Sequence, residues 1–480
     1  MKVENRDSET VRWTIAEISD AVAGNLLFGD GACSFRGISI DSRNIPGDHL
    51  FVAIKGEVHD GHSFAENVVE QGIRGLIIAR DRADDFPLTE WKEKGVVCIA
   101  VNDTTRALGD IAGFHRRRTD ISVVALTGSN GKTTTRKMTA GVVSRRFTTL
   151  STKGNFNNEI GLPLTLLGMN QSYKWAILEL GMNGPGEIRR LGEICLPDVG
   201  LITNIGPAHI GKLGSMEAIM NAKGELLEKI RPGGTAILNA DDPRILKLAG
   251  MSTRYRNIKN LLLFGSSGDA AVRASSVKEG DTGISFVLTL PGEDDIPVNL
   301  GTPGSFMVSN ALAAASVGHV LGLSGQEIRA GLEDFRPVQG RMNILTTGDN
   351  INIIDDTYNA NPGSMESAIM TLRSLKGAGR GIIVIGDMLE LGEYAAAMHR
   401  KIGSLASGSG IAKLYAAGEF ADAVADGARD GMDSRDILTG TKPEITEDLK
   451  NSLRPGDWVL VKGSRGMKME EIVQSLKRDA

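Results

Sequence analysis

Thr127-Gly128-Ser129-Asn130-Gly131-Lys132-Thr133-Thr134-Thr135 follows the apolar run Ile121 to Leu126 and precedes Arg136 to Val143. The run reads as a buried strand and the later stretch as a helix. A strand, a glycine loop, Gly-Lys-Thr and a helix together hold nucleotide phosphates. Backbone N–H groups and the helix N-terminus receive the anion, the lysine neutralises outer phosphates, and the threonine hydroxyl reaches magnesium. Gly128, Ser129, Asn130, Gly131, Lys132, Thr133 and Thr134 are therefore nucleotide-binding candidates, with Thr133 also a metal ligand. The pattern G-x-x-x-x-G-K-[ST] is incomplete, because Leu126 stands at the first glycine. That departure points away from ordinary P-loop NTPases.

Outward from this loop the chain divides into three. Its 480 residues suit about three domains. Apolar content of 41% and charge of 24% are those of a globular protein with ample core. A net charge of −5 gives no reason to expect nucleic acid or an acidic membrane as partner. Cys33, Cys98 and Cys195 are scattered and odd in number, which favours a reducing compartment over a disulfide framework or a zinc site. The start is polar (Lys2, Glu4, Asn5, Arg6, Asp7), without the apolar core of a signal peptide, and no stretch approaches a membrane span. A cytoplasmic protein without membrane insertion is expected.

Residues 1–118 read as an α/β domain. Thr14-Ile15-Ala16-Glu17 is a capping box opening a short helix; Gly37 to Ile40, Leu50 to Ile54 and Leu76 to Ala79 read as strands. Arg116-Arg117-Arg118 reads as a solvated link. Residues 119–336 alternate strands (Ala176 to Leu180, Gly200 to Thr203, Thr235 to Leu238) with helices, the pattern of a parallel sheet. Ala270 to Leu300 reads as an inserted β meander. Residues 337–480 carry strands at Ile351 to Ile354, Gly381 to Ile385, Lys413 to Ala416 and Trp458 to Val461, a Rossmann-like pattern without G-x-G-x-x-G and so without an assigned dinucleotide.

Three further residues attract attention. Glu179 ends a strand, where an acid either holds magnesium or lies solvated at the sheet rim. His209 sits in a loop leaving another strand. Lys223 falls on the apolar face of a helix capped by Ser215, in step with Ile219, Leu226 and Ile230. Spacing alone favours a snorkelling Lys223; a buried one would have a lowered pKa and chemistry to perform. His59-Asp60-Gly61-His62 reads as a polar, ligand-facing loop rather than a metal site.

With these residues placed, the chain resembles the Mur ligases, ATP-dependent amide-forming enzymes of bacterial peptidoglycan synthesis. The likeness is carried by the T-G-S-N-G-K-T-T loop, Asp41-Ser42-Arg43, Asn155 to Pro163, Glu179-Leu180-Gly181-Met182-Asn183, Ala208-His209 and Ala222-Lys223-Gly224-Glu225. Asp355 to Pro362, Gly386 to Gly392 and Lys462 to Gly466 extend it through the C-terminal third. Tyr358-Asn359-Ala360-Asn361-Pro362 and Gly386-Asp387-Met388-Leu389-Glu390-Leu391-Gly392 point to the branch that adds D-alanyl-D-alanine to a UDP-N-acetylmuramoyl tripeptide through an acyl phosphate.

The resemblance implies three domains: an N-terminal UDP-sugar domain, a central P-loop ATPase-like domain and a Rossmann-like C-terminal domain. It implies ATP and magnesium, with Glu179, His209 and Lys223 beside Thr133 as metal ligands and Lys223 N-carbamylated. Lys132, Lys223 and His209 become the catalytic set. Asn310 matches an adenine-binding residue, and Arg341 and Asp356 match groups that close over ATP. Ser42, Arg43, Asn157, Asn158, Tyr358, Asn359 and Asn361 are expected to meet the UDP-tripeptide or the dipeptide, and a monomer is expected. The family writes G-x-H-N-x-x-N before the adenine asparagine; Phe306-Met307 stand there instead. The alternatives are the preceding ligase, which adds the third amino acid, and a non-catalytic nucleotide switch. Neither accounts for the Tyr-Asn-Ala-Asn-Pro block.

Overall fold

Val123, Val124, Ala125 and Leu126 are all fully buried in the strand Ser122–Thr127. A strand with no polar face needs cover on both sides, which is the circumstance of a parallel sheet flanked by helices. Ser122–Thr127 accordingly lies between Trp175–Glu179 and Val199–Ile202, parallel to both. The computed structural model describes residues 12–56, 58–251, 255, 257–280 and 283–478, so the polar residues Lys2 to Asp7 lie outside the described part.

The architecture is α/β in three domains, each built on its own sheet. The central sheet has nine strands in the order Thr149–Ser151, Trp175–Glu179, Ser122–Thr127, Val199–Ile202, Gly234–Asn239, Ile258–Gly265, Val272–Gly280, Gly283–Thr289, Ile296–Leu300. The first seven run parallel, Gly283–Thr289 runs against them, and Ile296–Leu300 pairs antiparallel to that strand. The expected meander is therefore no insertion but the far edge of the same sheet. There Ile284, Phe286 and Leu288 are buried while their neighbours stay half-exposed, as one-sided cover requires.

The N-terminal sheet runs Asn25–Phe28, Val97–Val101, Gly75–Ala79, His49–Val52, Gly37–Ser39, with only the first strand antiparallel. The C-terminal sheet runs Asn343–Thr346, Asn352–Asp356, Trp458–Lys462, Gly381–Gly386, Lys413–Ala417, Ile437–Thr439, again with only the first antiparallel. Its two outermost strands escape the sequence pattern because they are short and partly exposed. Glu179, Asp356 and Lys462 close their strands, and Gly128 and Thr203 directly follow theirs. All five thus lie at carboxyl ends of parallel strands, where open α/β sheets form their ligand crevices.

Arg116 corrects the reading of a solvated basic link. It belongs to the helix Thr104–Arg117 and is 2% exposed. Its guanidinium donates to Cys195 O at 2.9 Å, to Leu196 O at 3.2 Å and to Asp198 at 3.3 Å. His115 Nε2 reaches Met169 O at 2.9 Å, and Arg190 reaches back to Asp110 at 2.7 Å. The N-terminal and central domains are therefore welded by buried polar contacts. His62 is likewise internal, not ligand-facing: its Nδ1 meets Asp60 at 2.7 Å and its Nε2 accepts from Ala79 N at 2.9 Å.

Replacing Arg116 by Ala leaves the Cys195 and Leu196 carbonyls without its guanidinium and takes from Asp198 one of its donors, Val123 N and Arg231 remaining. The expected loss is about 3 kcal/mol, the scale for breaking a buried ion pair, read as a lower urea midpoint with ATP affinity retained in the folded protein.

Candidate active site

The phosphate loop is held rigid from the neighbouring strand. Asn204 accepts from Ser129 N through its backbone (3.0 Å) and from Asn130 N through Oδ1 (2.8 Å), and its Nδ2 donates to Asn130 O (3.0 Å). Thr203 Oγ1 adds a bond to Asn130 O at 2.8 Å. Ser129 Oγ donates to Gly206 O and accepts from Gly206 N, so its hydroxyl ties two loops together. Gly131 takes φ +77° at the start of the helix Lys132–Val143, where a Cβ would lie 2.3 Å from Asn310 Oδ1. No side chain caps this helix, so its first N–H groups are available to an anion.

Behind the loop two lysines converge on one carbonyl. Lys132 Nζ donates to Gly128 O at 2.9 Å and Lys223 Nζ to the same oxygen at 3.1 Å. Lys223 is 2% exposed, which overturns the snorkelling reading. Burial first, and then the Lys132 charge, hold its amine well below the ordinary lysine range. Burial also lowers Lys132, with Glu179 opposing and Arg341 adding to the effect. Glu179 is not a solvated rim residue but buried; its carboxylate accepts from Asn157 Nδ2 (2.9 Å), Thr133 Oγ1 (3.3 Å) and Arg136 Nε (3.3 Å).

One cavity of about 650 Å³ joins these groups to the C-terminal domain. From the central domain it is lined by Ser129 to Thr134, Asn157, Asn158, Glu179, His209 and Asn310. From the C-terminal domain come Arg341, Asp356, Tyr358, Asn359, Asn361 and Lys462. Arg341 stacks over the Tyr358 ring at 4.1 Å. Asp356 accepts from Met342 N at 3.0 Å and from Lys462 Nζ at 2.5 Å. Asn361 caps the helix Pro362–Lys376 and donates to Asn130 Oδ1 at 2.7 Å, fastening the C-terminal domain to the phosphate loop. Asn310 accepts from Thr135 Oγ1 at 3.1 Å, and Met307, in the departing Phe306-Met307 pair, lies 3.9 Å from its amide nitrogen.

Not every expected residue joins this cavity. Lys223 stands behind the loop and does not line it. Ser42 and Arg43 lie elsewhere, past the carboxyl end of the strand Gly37–Ser39, with Arg43 exposed and paired to Asp41 at 2.7 and 2.8 Å. His209 lines the cavity, yet its Nδ1 is 2.5 Å from Glu390 Oε2 of the C-terminal domain. Among the described residues no three His, Cys, Asp or Glu side chains cluster as a metal cage. Magnesium does not require one. It keeps waters and binds through one or two carboxylates and substrate phosphates, and the Thr133 hydroxyl beside Glu179 Oε1 is such an oxygen pair.

Several residues were missed as site candidates. Lys462 is 2% exposed and also donates to Asn359 O at 2.9 Å; only strand register puts it beside Asp356. Glu225 accepts from Gly186 N and Arg189 N, fixing the turn that brings Asn183 and Glu187 to the cavity. Its place two residues after Lys223 on one helix was the available signal.

Comparison with known proteins agrees with this geometry. Residues 34–116 match the Mur ligase family catalytic domain, 126–318 the Mur ligase middle domain and 340–465 the Mur ligase glutamate ligase domain. The UDP-N-acetylmuramoyl-tripeptide–D-alanyl-D-alanine ligases of Bacillus subtilis and Escherichia coli are each 33% identical, over 97% of this chain and 98% of theirs. A crystal structure of MurF from Acinetobacter baumannii superposes with a TM-score of 0.87 at 30% identity, covering 98% of this chain and 99% of that one. MurF ligase from Thermotoga maritima in complex with ADP gives 0.80 at 26% identity, covering 92% and 97%.

Gly131→Ala meets both a left-handed φ and the Asn310 side chain. Affinity for ATP should fall more than about tenfold, a loss of 1.4 kcal/mol or more, and the same strain should lower the thermal midpoint of the free protein; equilibrium binding and calorimetry check the two parts.

Proposed function

The chain belongs to the Mur ligase family, and from that premise we propose how its residues divide the reaction. It is an ATP-dependent ligase that joins D-alanyl-D-alanine to UDP-N-acetylmuramoyl-tripeptide, giving the UDP-pentapeptide used in peptidoglycan synthesis. The observation that carries the assignment of roles is the single cavity running from the phosphate loop to the Arg341–Asp356 wall. The preceding ligase and the non-catalytic switch are not favoured.

The tripeptide's terminal carboxylate attacks the γ-phosphorus of ATP, ADP leaves, and an acyl phosphate forms. The amine of D-alanyl-D-alanine then attacks the acyl carbon, and phosphate departs with the C–O electron pair. Lys132 exchanges its bond to Gly128 O for the outer phosphates, and the N–H groups of Gly131 to Thr134 receive their oxygens. Asn310 meets the adenine. Arg341 and Asp356 close over the nucleotide, and Tyr358, Asn359 and Asn361 face the incoming dipeptide while water is excluded.

Ser42 and Arg43 receive the UDP-sugar, in keeping with their place past a parallel-strand end in the N-terminal domain. Asn157 and Asn158 meet its peptide end near Glu179. Thr133, Glu179 and His209 would hold magnesium, which supplies charge neutralisation on the transferring phosphoryl group. Lys223 acts as a carbamate: its neutral amine adds carbon dioxide and releases a proton, leaving an anion beside Lys132 that would join Thr133, Glu179 and His209 as a magnesium ligand. The expected setting is a monomer in the cytoplasm, in line with a cavity completed by one chain and with three unpaired cysteines. No described helix is long and apolar enough to cross a membrane.

The test is phosphate release from ATP. It should require UDP-tripeptide and D-alanyl-D-alanine together, and Lys132→Ala should abolish it in a folded protein; release without either acceptor would overturn the assignment. Lys223→Arg keeps a positive charge but cannot form a carbamate. It should lose more than about a hundredfold in kcat, corresponding to 2.7 kcal/mol, and the wild-type enzyme should regain activity on bicarbonate addition after carbon dioxide is stripped away.

A further inference from the structure

Two non-glycine residues with left-handed backbones face each other where the C-terminal domain meets the central one. His209 has φ +60° and Glu390 has φ +65°. Such a conformation costs of order 1 kcal/mol or more and persists where the surroundings enforce it, often at functional sites. Around the pair the two backbones touch directly. Gly211 N donates to Glu390 O at 3.1 Å. A Cβ at Gly211 would lie 2.5 Å from Gly392 N and 2.8 Å from Leu391 C, so only glycine permits this approach. Tyr394 Oη adds a contact to Gly214 O at 3.4 Å.

At the centre of this seam Glu390 Oε2 lies 2.5 Å from His209 Nδ1. That nitrogen is buried and has no partner of hydrogen-bond geometry: Glu390 is the charged group facing it, close but off the ring-nitrogen axis. With Nδ1 facing the Glu390 carboxylate, Nε2 is the ring nitrogen left for the cavity that His209 lines. A carboxylate on one imidazole nitrogen fixes the tautomer and raises the basicity of the other, which is how metal-ligating histidines are commonly supported. We propose that Glu390 is a positioning residue that engages His209 Nδ1 only when the C-terminal domain is seated, so that domain closure itself prepares the histidine as a ligand. This rests on the reading of His209 as a metal ligand.

The mechanism assigns Glu390 no contact with substrate. Its work is to make the ligand set conditional: in an open enzyme His209 loses its orienting partner, and with it the preference for one tautomer. The Gly211–Gly392 contact supplies the fit, and the Asn361–Asn130 bond holds the opposite side of the cavity.

The test uses the full chain with ADP, in diamagnetic magnesium for nuclear magnetic resonance and in manganese, its substitute, for electron paramagnetic resonance only. In wild type, ¹⁵N-labelled imidazole should show His209 as the Nδ1–H tautomer, and electron paramagnetic resonance should report manganese bound with ADP. Glu390→Ala should remove the tautomer preference and weaken manganese about 10- to 100-fold. Glu390→Gln keeps the shape and an acceptor oxygen, should restore part of both signals, and guards against a variant that fails to fold. Gly211→Ala leaves both side chains intact but blocks the seating, and should reproduce Glu390→Ala. Unchanged tautomer and manganese affinity in either Ala variant would overturn the proposal. If instead His209→Ala binds manganese as wild type does, the metal-ligand reading fails; a tautomer still lost in Glu390→Ala would then show the seam to act on His209 without a metal.

Discussion

The grip of Asn204 and Thr203 on the phosphate loop is the constraint on which the rest of the site depends. A glycine loop has little stiffness of its own, and its N–H groups can receive a phosphate only if they are held pointing one way. Here the stiffness is borrowed from the adjacent parallel strand Val199–Ile202, whose outgoing loop bonds Ser129 and Asn130 through backbone and side chain. That same loop continues to His209. Phosphate binding and placement of the histidine are thus consequences of a single strand pairing.

Charge explains the second layer. Lys132, Arg136, Arg341 and Lys462 crowd around the carboxylates Glu179 and Asp356, with the Lys223 amine just behind the loop. Partly or wholly buried cations in this excess are costly without an anion. A nucleotide triphosphate supplies the missing charge, so the closed arrangement is one that substrate stabilises. The two lysines on Gly128 O show the crowding most directly, for burial and the neighbouring Lys132 charge together hold the Lys223 amine well below the ordinary lysine range.

Much of this was legible in the residue order, for physical reasons that differ by element. Val123 to Leu126 announced a doubly covered strand because burial on both faces requires a continuous apolar run. The capping boxes at Thr14 and Asn361 act within one turn and need no tertiary information, though only the first was read. Lys223 and Arg116 were misjudged from pattern alone, since what retains each is a carbonyl far along the chain: Gly128 for one, Cys195 for the other. Lys462 depends on strand register and Glu390 on how two domains meet. Neither can be read from local spacing. The family resemblance repaired the reading of Lys223; its matching blocks included Lys462 and Glu390 but gave neither residue a role.

The space beside Gly131 is filled by Asn310 Oδ1, and Asn310 is in turn held by Thr135. These three positions can change only together: a side chain at 131 needs a smaller residue at 310, which then strands the Thr135 hydroxyl. Their mutational paths are therefore coupled, and single-step variation at this wall is closed off. An inhibitor that rests on the Gly131–Asn310 surface would meet few routes to resistance there, whereas one leaning on exposed Arg43 would meet many.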